Sequence, residues 1–147
     1  MTKLLVVFGL IFFLGFWLAN RNDFDKAINL TSGVESLIER SNQGELDLRG
    51  FKTELWDELV VLGAYSNICA YGLDGFEKGS SNCMPRLNEV YEYILFLRQN
   101  RVVGKADIKR RLVDLSTADL GLKRVKQIEA IFQYTTKGEW AAVKLKK

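Results

Sequence analysis

Three groups of residues in this chain have types and spacings that could carry chemistry: the adjacent carboxylates Asp57 and Glu58, the cysteines Cys69 and Cys83, and the cationic runs Lys109-Arg110-Arg111 and Lys123-Arg124 with Lys126. General acid–base work needs two carboxyl groups facing one reacting bond. Neighbours on a strand point to opposite faces, so Asp57 and Glu58 make a poor pair for it. Histidine is absent, which removes His-based triads, imidazole acids and most zinc sites. An enzyme built on this chain would have to use carboxylates, lysine or a thiol, and no catalytic, cofactor-binding or metal-ligating residue is assigned. Cys69 and Cys83 enclose a fifteen-residue loop counted inclusively. In an oxidising compartment they read as a disulfide, a closure worth about 3 kcal/mol; in a reducing one they read as inert core thiols.

Neither cationic run is interleaved with the exposed aromatics of a single-strand nucleic-acid surface, so nucleic acid is not an expected partner. The net charge of +3 hides an asymmetry: residues 22–97 sum to −7 and residues 98–147 to +8. Opposite halves within one domain most simply attract each other.

The compartment is set by Leu4 to Ala19, LLVVFGLIFFLGFWLA, sixteen consecutive uncharged residues. As a helix the run covers roughly 24 Å against a hydrocarbon core of about 30 Å, with Trp17 suited to the headgroup level. Cleavage after Ala19 would place Trp17 at the third-last position, where a small residue is needed. Residues 1–21 are therefore expected to be an uncleaved signal-anchor, touching the membrane through residues 4–19. A cleaved signal giving a secreted domain, or a buried apolar helix, are the other readings. Lys3 and the terminal amine on one side nearly balance Arg21 and Lys26 on the other, so the charge rule alone does not orient the segment. A short cationic start running straight into an apolar stretch is how export signals are built. The expected placement is an inner-membrane anchor with residues 22–147 outside the cytoplasm, periplasmic or extracellular.

Those 126 residues suffice for one domain with one core. Ser32 with Glu35 reads as a capping box opening a helix that stops near Gly44. Leu46 and Leu48 suggest a short edge strand, and Phe51, Leu55 and Leu59 a helical turn around Thr53. The apolar run Leu59 to Tyr65 suits a central strand covered on both faces. Ser66 or Asn67 can cap a short helix ending near Gly72. Tyr91–Leu97 and the residues from Val102 read as a hairpin turning at Asn100-Arg101, with Leu97 opposite Gly104, Leu95 opposite Ala106 and Tyr93 opposite Ile108. Ser116 or Thr117 can cap a helix reaching towards Val125. A turn at Lys137-Gly138 would pair Tyr134 with Ala141, Phe132 with Val143 and Ala130 with Leu145. The expected fold is α+β, an antiparallel sheet of about four to five strands with two or three short helices, preceded by the amino-terminal hydrophobic helix.

Trp56-Asp57 opening a strand, Val60-Val61-Leu62-Gly63 within it and Tyr65-Ser66-Asn67 closing it resemble small uncharacterised bacterial envelope proteins, many of them lipoproteins, in which a Trp-Asp strand ends in Pro-Tyr-Ser/Thr. Ala64 replaces the proline, and no lipid-attachment cysteine follows the apolar run. The resemblance implies an α+β envelope domain and no known activity. The function expected is non-catalytic: a membrane-tethered, exported domain that binds another protein, of inhibitor or immunity type. A membrane-bound structural or assembly subunit is the alternative, and a carboxylate-based enzyme the third reading. Trp56, Tyr65 and Trp140 are the candidate interaction surface, each also readable as a core or covering aromatic. No cofactor is expected.

Overall fold

The apolar run Leu59-Val60-Val61-Leu62 fixes the architecture, because four consecutive buried residues on a strand need cover on both faces of the sheet. The computed structural model describes residues 26–41, 44–63, 66–76, 90–113, 115, 124–137 and 140–146. The run is β3 (Glu58–Leu62), flanked antiparallel by β4 (Tyr91–Arg98) and by the short β6 (Val125–Lys126). β5 (Arg101–Lys109) returns antiparallel along β4, and β1 (Ile28–Asn29) adds to it in parallel, giving the order β1-β5-β4-β3-β6. A second, antiparallel sheet has the order β2-β7-β8, from β2 (Glu45–Asp47), β7 (Ile131–Lys137) and β8 (Trp140–Leu145). The α-helix α1 (Thr31–Arg40) packs on β5 and β2.

The α+β expectation holds, but the single antiparallel sheet does not: the described residues form two sheets, and the larger is mixed. Leu46, Leu48 and Phe132 lay their apolar sides over the larger sheet with α1 and do not lengthen its edge. One core therefore lies between α1 with the second sheet and the face carrying Leu59, Val61, Ile94, Phe96 and Ile108. The other lies between Val60, Leu62, Leu95 and Leu97 and the segment carrying Ile68, Cys69, Tyr71, Leu73 and Phe76. Trp56 belongs to the first core at 2% exposure, which corrects its assignment to an interaction surface. Its ring and that of Phe96 stand edge to face at a centroid distance of 5.2 Å, and its Nε1 donates to the Phe51 carbonyl at 2.6 Å. An indole whose one donor is satisfied inside can be buried whole.

Local chemistry explains the remaining departures. α1 begins at Thr31, not after a Ser32 cap, and Leu30 precedes it with no side-chain capping bond. Asn29 Oδ1 accepts from the Thr31 amide at 3.0 Å, and Thr31 Oγ1 accepts from the Asp107 amide at 3.0 Å, so the helix start is stitched to β5. Gly33 sits within the helix because the Phe51 ring would lie 2.9 Å from a β-carbon there. Asn67 caps the 3-10 turn Ile68–Tyr71 by accepting from the Cys69 amide at 3.0 Å, and Gly72 closes it at φ 63°, both as expected. The β4–β5 turn is Gln99-Asn100, at φ 49° and 69°, not Asn100-Arg101. Leu97 therefore faces Val102, and a register shift between Leu97 and Phe96 then sets Phe96 opposite Gly104 and Leu95 opposite Lys105. In the last hairpin Phe132 pairs with Leu145 and Tyr134 with Val143. That register is two residues from the expected one, and a shift of two preserves which positions share a face.

No helix among the described residues is long and apolar enough to cross a membrane. The expected anchor at residues 1–21, the strand end at Ala64-Tyr65, Cys83 and the helix start at Ser116 or Thr117 lie outside the described residues. Val125, towards which that helix was expected to run, is in β6.

Candidate interaction cleft

Three segments distant in sequence meet at one end of the larger sheet. The start of β3 contributes Asp57 and Glu58, the β4–β5 turn Gln99 and Asn100, and the chain leaving β6 Lys126, Gln127 and Ile128; together they line an open cleft of about 550 Å³. Asp57 is the hub. Its amide donates to the Leu97 carbonyl at 2.8 Å, its carbonyl accepts from the Gln127 amide at 2.8 Å, and its Oδ2 accepts from the Gln99 amide at 3.3 Å. Asp57 precedes the regular strand, so strand alternation does not separate it from Glu58, and both reach the same cleft.

One wall is held by Arg124. Its Nη1 donates to Glu58 Oε2 at 3.2 Å, and its Nη2 donates to the Tyr71 carbonyl at 2.8 Å and to Asn100 Oδ1. Asn100 Nδ2 in turn donates to the Gly72 carbonyl at 3.1 Å and to Asp74 Oδ1 at 2.5 Å. The opposite wall is the 3-10 turn Gln127–Glu129, where Gln127 Nε2 donates to the Thr53 carbonyl at 3.3 Å. Ile128 stands at its tip with 78% of its surface exposed. Beneath the Arg124 wall, burial pushes the Tyr71 hydroxyl above the ordinary tyrosine range, and that hydroxyl donates to the Val61 carbonyl at 3.3 Å.

The cleft thus presents carboxylates, an ammonium, amide groups and one apolar side chain on backbone that is pinned by hydrogen bonds, which suits polar recognition around an apolar anchor. Both carboxylates already accept hydrogen bonds from their own chain. No group of three or more His, Cys, Asp or Glu that could hold a metal ion occurs among the described residues.

Of the three expected surface aromatics, Trp56 is in the core, Trp140 opens β8 opposite Lys137, and Tyr65 lies outside the described residues. The charge asymmetry, in contrast, has visible internal partners: Arg110–Glu92 at 3.6 Å, Arg124–Glu58 at 3.2 Å and Lys146–Glu45 at 2.9 Å each join the basic half to the acidic half. Arg110 and Arg124, one from each cationic run, are committed to these pairs. No protein family, curated protein or solved structure was found that matches this chain.

Proposed function

We propose that the chain is a non-catalytic, membrane-tethered domain, exported to the far side of the membrane, which binds another protein through the cleft at Asp57 and Ile128. The envelope setting rests on the sequence resemblance, and the inhibitor or immunity type on the expected export of a single domain, the missing catalytic constellation and the split charge. The observation that carries the reading is Ile128: single exposed apolar residues are common on protein surfaces, but this one stands on a clamped turn at the rim of a cleft that offers donors and acceptors. An apolar centre within a polar rim is the usual layout of a protein interface.

A photo-reactive phenylalanine analogue placed at Ile128, at the exposed Glu39 on α1, or at Phe13 in the apolar segment tests this in intact membranes. A protein adduct at 128 and none at 39 is expected. Adducts at 13 alone favour a structural or assembly subunit held through its apolar helix. A membrane-bound, intact protein with no adduct at 128 rejects the reading.

A further inference from the structure

The outer strands of the two sheets differ in length. β1, β6 and β2 are two, two and three residues long, whereas β8 is six. Backbone groups alternate sides along an antiparallel strand. The Lys146 amide donates to the Ile131 carbonyl at 2.9 Å, which fixes the phase: positions 140, 142, 144 and 146 face β7. Ala141, Val143 and Leu145 therefore turn their N–H and C=O groups away from it. Among the described residues no strand pairs with that side. Natural edge strands are blunted by proline, bulges or charge. The pairing of β8 runs without a register shift, it holds no proline, and its first lysine is at 144.

We propose that this edge pairs with the same edge of a second copy of the chain, antiparallel and about a two-fold axis at Val143. Only outward positions can exchange bonds, so 143 pairs with 143 and 141 with 145, giving on the order of six new backbone hydrogen bonds. Position 142 then faces 144 and 140 faces 146, so no lysine stands opposite a lysine. A slip of two positions one way leaves only two bonded pairs within the strand, and a slip the other way sets Lys144 against itself. The edge is thus self-complementary in one register, which is what a closed two-fold interface requires. The two three-stranded sheets become one of six strands.

Full-length protein carrying Val143→Cys, oxidised mildly in membranes, tests the register directly. Opposed bonded positions lie about 5.5 Å apart between α-carbons, inside the disulfide range of about 4.4 to 6.8 Å. A covalent dimer is expected for Val143→Cys, much less for Ala142→Cys, and none for the unsubstituted chain, which controls for Cys69 and Cys83. Val143→Pro removes only an outward N–H and leaves the bonds to β7 in place. It should weaken dimerisation by roughly tenfold or more, read from native mass against concentration, with an unchanged far-ultraviolet spectrum. Equal cross-linking at 142 and 143, a monomer at tens of micromolar, a dimer insensitive to Val143→Pro, or a link from position 143 to a different protein would each overturn the proposal.

Discussion

Trp56 and Glu92 bury polar atoms completely enough that their partners decide the cost of changing them. The Phe51 carbonyl depends on the Trp56 indole, so Trp56→Phe keeps most of the ring contact with Phe96 and should still lower unfolding stability by about 1 to 3 kcal/mol. Glu92 has no exposed surface; its Oε2 accepts from the Leu115 amide at 2.6 Å and its Oε1 lies 3.6 Å from Arg110 Nε. Glu92→Ala takes the side-chain acceptor from the Leu115 amide and one partner from Arg110 and should cost about 1 to 3 kcal/mol, with Glu92→Gln milder because an acceptor remains. Urea denaturation midpoints measure all three variants. Tyr71 adds a pH dependence of known sign. Its hydroxyl titrates higher in the folded chain than in the unfolded one, so the unfolded chain loses that proton first. The stability it contributes is complete below the unfolded tyrosine value and is lost as pH rises through the folded value. Tyr71→Phe should be less stable by about 1 kcal/mol at neutral pH, yet lose less stability in alkali.

Elements differ in how much of themselves the residue types encode. The β4–β5 turn places Gln99 and Asn100 in the left-handed region, where asparagine is tolerated and glutamine is not favoured. Gln99→Asn should therefore stabilise the hairpin by roughly half to 1 kcal/mol, measured as a higher midpoint. That turn also shows where sequence reading failed. Counting outward from a turn assumes an unbroken ladder, and the register shift after Phe96 consumes one residue. No side-chain type along Val102-Val103-Gly104 announces it. Elements specified by local chemistry were legible: the buried run of β3, the Asn67 cap and the Gly72 stop. β1 was not, because two residues pairing in parallel leave no periodicity, and Trp56 kept both a core and a surface reading because strand alternation cannot tell an indole facing the core from one facing solvent. The cleft was illegible for a different reason: it joins residues about 40 and 70 positions apart, and its one local trace is the apolar Ile128 between Gln127 and Glu129.

The molecule as a whole ties three proposals to one another: the anchor at residues 4–19, export of the domain, and a bond between Cys69 and Cys83. Cys69 is buried in the 3-10 turn beneath the larger sheet, and there is no free cysteine among the described residues. Disulfides persist where the compartment is oxidising, so a bond here and a cytoplasmic location exclude one another in practice. Protein taken from membranes under acid quench and alkylated before reduction should show no modified cysteine, and its intact mass should retain Met1. Reduction should then lower the free energy of unfolding by about 2 to 4 kcal/mol, the range for closing a loop of this length. A Cys69→Ser, Cys83→Ser chain should match the reduced protein and not respond to reductant. The combinations separate the proposals. A mature terminus at Asn20 with the bond intact leaves export standing and removes the tether. Two alkylated thiols on a chain that still begins at Met1 remove export, and would place the Ile128 cleft and the β8 edge in the cytoplasm.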